Sequence, residues 1–167
     1  VSGEALFLDR ELSNFVESCR MVLGRAIRMT LETAPHLCIF VHRRRLRVSL
    51  LCLILQLRQT MPSASRFTWQ AEQQENEAVL RCTAVSDGTE PQSHRHSIPE
   101  QLYQTGLRTP EEQVVQHFCR KYHAVLLTSQ TDTQAQCTLR FPLHRDIRNL
   151  SLESSRREID DGIFSLY

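Results

Sequence analysis

The chain has 167 residues, 41% of them apolar and 23% charged, with a formal net charge of +1 at neutral pH. That is the length of one domain, enough to bury a sizeable core, and the near balance of charge excludes the global positive field of a nucleic-acid binder. The longest apolar run, residues 50–55, is flanked by Arg47 and Arg58 and falls far short of the roughly 18 residues of a membrane span.

In chain order, the start "VSGEALFLDREL" shows no basic stretch followed by an apolar one, so no signal peptide is expected. The chain begins without Met and reads as a segment of a longer protein. Leu8, Leu12, Phe15, Val16, Cys19 and Leu23 recur at helical spacing, which predicts an amphipathic helix over residues 9–23. Ile27, Met29 and Leu31 alternate with Arg28 and Thr30 as in a strand, Pro35 breaks the chain, and "LCIFV" (37–41) reads as a short buried strand. A second long helix is expected over residues 44–59, and two strands over 67–70 and 78–85. Residues 86–99, "SDGTEPQSHRHSIP", are turn formers without periodicity and read as a long loop. "TPEE" (109–112) is a helix start, with Thr109 as N-cap, Pro110 at the first position and Glu112 closing a capping box. The helix it opens places Val114, Val115, Phe118, Cys119 and Tyr122 on one face. Two last strands are expected over 124–128 and 137–141. Residues 144–167 are mixed in charge and weakly periodic, and read as an extension to a domain spanning 1–143.

Six cysteines (Cys19, Cys38, Cys52, Cys82, Cys119 and Cys137) stand singly in apolar stretches without a CxxC pair. They read as reduced, mostly buried thiols of a cytosolic protein. Three helices against a mixed sheet make a two-layer α/β sandwich, an order that several folds share.

Particular residues narrow it. "VHRRRLRVSLLCLILQLRQTMP" (41–62) resembles the asparagine-box helix of histidine-kinase ATPase domains, with Val41, Arg45, Leu46, Leu50, Leu51, Leu53, Ile54 and Pro62 in register. "GLRTPEEQVVQHFCRKYHAVLLTSQTDTQAQCTLRFPL" (106–143) resembles that family's last third, "AVSDG" (84–88) its first glycine box, and "FLDRELSNFVESCRMVLGRAIRMTLE" its first helix and strand. Together these cover residues 6–143 in the right order. The resemblance implies a Bergerat-type ATPase fold, ATP with Mg²⁺ as ligand, and phosphorylation of a His on a separate helical dimerising domain.

The chemistry-bearing positions of the family are altered here. Its two helix asparagines fall on Cys52 and Gln56. An Asn oxygen at the first suits Mg²⁺, a hard cation that takes oxygen ligands. The sulfur of Cys52 does not, and Gln56 carries its amide one methylene too far. Read without the family, Cys52 is a core residue and Gln56 a helix-surface amide. In the first glycine box Asp87 and Gly88 remain, Asp87 being the residue that would accept the adenine amino group, although Asp-Gly is equally a turn dipeptide. In the second, Gly106 remains while Arg108 replaces a glycine, and Pro110 offers no N–H to a phosphate. The resemblance thus implies Cys52, Gln56, Asp87, Gly88 and Gly106 as remnants of a nucleotide site, with no catalytic residue, no resident metal and no cofactor. ATP with Mg²⁺ remains the alternative. His123 stands where the family has a structural His.

Three expectations follow. Residues 86–105 either move or collapse into the vacant cleft. Arg108, Ile98 and Leu102 fill that cleft, with Arg108 paired to Asp87 or Glu90. The domain is a cytosolic, non-catalytic regulatory module whose partner is another protein or an upstream helical dimerisation domain of the same chain. A working ATP-binding kinase domain and an unrelated protein-binding module are the competing readings, and a membrane anchor elsewhere in the full-length protein stays open. The cluster "HRRRLR" (42–47) reads either as a seat for an acidic partner or phosphate, or as a solvated face. "HRH" (94–96) lacks the further ligands of a transition-metal site, and Phe67 and Trp69 read as core.

Overall fold

A computed structural model describes residues 3–24, 26–86, 101–102 and 109–144. The elements run β1 (Glu4–Phe7), α1 (Leu8–Leu23), β2 (Arg28–Thr33), β3 (Cys38–Val41), α2 (Arg43–Thr60), β4 (Ala64–Gln74), β5 (Glu77–Ser86), β6 (Gln101–Leu102), α3 (Pro110–Tyr122), β7 (Val125–Gln130) and β8 (Gln134–Pro142). Six strands form one sheet in the order β2-β4-β5-β8-β7-β6. β2 pairs parallel with β4, and every other neighbour in that sheet pairs antiparallel. The two-layer α/β sandwich expected from the sequence is the fold observed.

Register explains the core. Leu31, Trp69, Cys82, Cys137 and Thr128 are successive cross-strand partners across β2, β4, β5, β8 and β7. Because side chains alternate along a strand, they form one rank on one face. Trp69, Cys82 and Cys137 in this rank are buried. Phe15 of α1 meets Trp69 edge-on at 5.7 Å between ring centroids, so α1 covers this face at its middle. Leu46, Leu50, Leu53, Ile54 and Leu57 bring α2 into the same core, and Val115, Phe118, Cys119 and Tyr122 bring in α3. Phe67 and Trp69 are fully enclosed, as expected, and all six cysteines are buried.

Two expectations need correction. The apolar run at 37–41 is buried at all but Phe40, which is 38% exposed, and β3 does not join the main sheet. It pairs antiparallel with β1, Leu6 opposite Ile39, and the four residues of β1 are too few to show a period. Val114 does not share the buried face of α3, being 39% exposed.

α3 begins as its sequence dictates. Thr109 is extended and its hydroxyl accepts a hydrogen bond from the Glu112 N–H at 3.3 Å, with Pro110 in the first turn. The helix ends on His123, whose φ of 56° lies in the left-handed region. The N–H of Ala124 then returns to the Cys119 carbonyl at 2.9 Å.

Candidate functional site

α2 opens without a side-chain cap from His42 and without an acidic residue in its first turn, an arrangement that sets its arginines against the helix dipole. The compensation comes from α1. Glu11 is a buried carboxylate; Arg43 Nε donates to its Oε1 at 2.9 Å, and Arg47 approaches its other oxygen at 3.7 Å. Half of the basic cluster is thus a structural clasp. Arg44 and Arg45 point elsewhere, and neither forms an ion pair with another described residue.

One turn further on stand the two residues that the family resemblance singled out. Cys52 and Gln56 are four apart on α2 and so lie on one face. Both are buried, Cys52 within the apolar core cluster. For Gln56 this corrects the helix-surface reading, which considered only its residue type. The thiol of Cys52 is held above its ordinary range, first by burial and second by the carboxylate of Glu111. That second cause is the charge of Glu111, in the first turn of α3, felt across the packing of α3 on α2. Nothing in the sequence spacing foretold it, because the charge comes within reach only when α3 packs against α2.

Asp87, Gly88, Gly106 and Arg108 lie outside the described residues, as do Ile98, Glu90 and "HRH" (94–96). Leu102 is described only through its backbone, in β6 opposite Leu127. The structure therefore places Cys52 and Gln56 together on one buried face of α2, within electrostatic reach of Glu111. Among the described residues no three His, Cys, Asp or Glu side chains converge as metal ligands, and no helix is long and apolar enough to cross a membrane.

A groove of about 530 Å³ runs between the N-terminal half of α2 and the middle of α3. Val48, Val114 and Phe118 supply its apolar wall, Ser49 lies within it, and Arg44, Arg45 and His117 flank it. Sequence reasoning missed this site. The signal available was the α2 pattern itself, which is apolar at Val48, Leu51 and Leu55 as well as on its core side, and these three remain 38–45% exposed.

No protein-family model and no curated protein sequence matches the chain. Solved structures do. The ATP-binding domain of PrrB from Mycobacterium tuberculosis is similar over 86% of this chain and 99% of its own, with TM-score 0.66 and 12% identity. The mycobacterial sensor histidine kinase MprB is similar over 86% and 99%, with TM-score 0.62 and 13% identity. The Acinetobacter baumannii histidine kinase AdeS is similar over 86% and 68%, with TM-score 0.61 and 14% identity. At these identities the likeness is one of fold: the chain has the fold of histidine-kinase ATP-binding domains.

Proposed function

We propose that this domain is a non-catalytic regulatory module of a signalling protein, built on the histidine-kinase ATP-binding fold and acting through a protein partner. The partner is an upstream helical domain of the same chain or a separate protein, and the six reduced thiols support work in the cytosol. The observation that carries the reading is the chemistry at Cys52. Its thiol is buried and its pKa is raised, so at neutral pH it is a protonated sulfur, a poor donor to a hard cation. The carboxylate of Glu111, whose charge reaches Cys52, adds negative potential where the resemblance would seat phosphates. Cys52 and Gln56 do not fit Mg²⁺·ATP, and no phosphoryl-transfer step is derived from them.

The test is calorimetric titration of ATP, with and without Mg²⁺, into the unaltered chain and into the variant Cys52→Asn, Gln56→Asn, Arg108→Gly. Weak or no binding is expected before the change. Equal affinity in the two proteins would defeat the argument from lost ligands. Micromolar, Mg²⁺-dependent binding to the unaltered chain that disappears in Asp87→Ala would establish a working ATP-binding domain instead.

A further inference from the structure

The groove between α2 and α3, about 530 Å³ in volume, falls within the roughly 300–1,000 Å³ of small-molecule sites. Its body is apolar. Val48 and Val114, one from each helix, are 45% and 39% exposed, and Phe118 continues the surface inward. Its rim is basic. Arg44 and Arg45 line the groove from the first turn of α2, and neither forms an ion pair with another described residue. No carboxylate of the described residues lines it. That first turn has no side-chain cap from His42 and no acidic residue, so its backbone N–H groups and the positive end of the helix dipole add to the pull of the arginines on an anion.

Ser49 makes this more than an uncovered helix end. It lines the groove at 1% exposure, and its hydroxyl is withdrawn from water without a hydrogen-bond partner among the described residues. A buried hydroxyl left unpaired keeps its desolvation penalty, which an oxygen brought into the groove would relieve. Residues four apart share a helix face, so Ser49 stands one turn beyond Arg45, and Val48 one turn beyond Arg44. The features that suit an anionic oxygen therefore border directly on those that suit an apolar body.

We propose that the α2–α3 groove binds a single-chain amphiphile with a carboxylate head, a free fatty acid. Its carboxylate accepts hydrogen bonds from Arg45 and from the Ser49 hydroxyl, Arg44 adds charge, and its alkyl chain lies against Val48, Val114 and Phe118. The buried alkyl area supplies most of the attraction, and charge at the exposed rim selects the sign of the head. Neither Cys52 nor Gln56 lines the groove, so this site does not depend on whether the nucleotide site is lost.

Methyl nuclear magnetic resonance on the full chain, titrated with dodecanoate below its micelle concentration, tests this directly. The expected result is saturable shifts and Overhauser contacts from the alkyl chain to the Val48 and Val114 methyls. None is expected to Leu55, which is 38% exposed on α2 but outside the groove. Dodecyltrimethylammonium, with the same chain and the opposite charge, should bind about tenfold more weakly, and so should dodecanoate to Arg44→Gln/Arg45→Gln. Ser49→Ala should weaken dodecanoate binding without lowering the melting temperature of the free protein, because the hydroxyl it removes is unpaired. The two amphiphiles on the unaltered chain decide the matter if a variant does not fold. Equal binding of both amphiphiles, equal shifts at Leu55, or tighter binding of dodecyl phosphate would overturn the proposal. So would Val48 and Val114 methyls that do not respond to dodecanoate, or that already show contacts to a differently labelled second copy.

Discussion

Arg43 Nε and Glu11 Oε1, 2.9 Å apart, join the first turn of α2 to α1. Glu11 is only 7% exposed while Arg43 is about half exposed, so the carboxylate depends on the arginine more than the reverse. Removing the arginine leaves a buried charge with Arg47 at 3.7 Å as its remaining close cation of α2. Arg43→Ala is expected to cost about 1–2 kcal/mol, the low end for losing a charged partner because water reaches the pair. A double-mutant cycle with Glu11→Ala should give a coupling energy of about 1 kcal/mol; a coupling near zero would mean that the clasp is not holding the helices.

The left-handed His123 gives a second prediction. A Cβ in that conformation costs about 1–2 kcal/mol relative to glycine, offset in part by the greater freedom glycine gives the unfolded chain. His123 is exposed and its N–H remains the cap to Cys119 in either case. His123→Gly should therefore stabilise the domain by about 0.5–1 kcal/mol, read as a higher urea midpoint at unchanged slope. A lower midpoint would show that the imidazole contributes more than its backbone costs.

The contrast between α3 and Glu11 shows what the sequence makes legible. Thr109, Pro110 and Glu112 form a local pattern whose physics closes within four residues, so the start of α3 could be read directly. The face of α1 was equally readable, because Leu12, Phe15, Val16 and Cys19 repeat with the helix and are buried. Glu11 sits beside that face and looks like any solvated charge until Arg43, distant in sequence, comes to meet it. Likewise Cys52 and Gln56 stood out by residue type, but the burial of Gln56 and the approach of Glu111 depend on how α3 docks on α2. β1 carried no signal because its stability comes from pairing with β3. Val114 misled because helical spacing gives a stripe but not the width of the neighbour that covers it.

The thiols give a prediction in pH. Burial raises Cys19 from 9.0 to about 11, and Cys119 and Cys137 to about 12. The folded protein therefore holds these protons more tightly than the unfolded chain. The stability they contribute is fully present below about pH 9 and is lost as pH rises from there through 11 to 12, since the unfolded chain then binds fewer protons. Unfolding free energy followed from pH 8 to 10.5 should fall with increasing steepness above 9, and Cys137→Ser, which removes the titrating thiol while lowering stability at every pH, should lessen the slope. At pH 8 iodoacetamide should leave the native thiols unmodified and label all six after denaturation. Rapid labelling of the native protein would contradict the burial of the six.

Glu111 supplies the last prediction, made on the variant Cys52→Asn, Gln56→Asn, Arg108→Gly. Its charge reaches position 52 and raises the thiol there, so it opposes a nucleotide phosphate seated at that position. Two like charges about 4 Å apart in a water-like medium repel by about 1 kcal/mol, which is about fivefold in affinity. Adding Glu111→Gln to the variant should therefore tighten ATP binding about fivefold when Mg²⁺ is chelated. With Mg²⁺ present the gain should shrink, because the cation screens the phosphates and a carboxylate oxygen is itself a suitable neighbour for it. Glu111 lies in the first turn of α3, where an acidic residue favours the helix, so thermal unfolding of both variants separates a loss of helix stability from a change at the site. Equal Mg²⁺-free affinities in the two variants would show that the Glu111 charge does not reach the phosphates, and the electrostatic part of the argument for a lost nucleotide site would then fall on Cys52 alone.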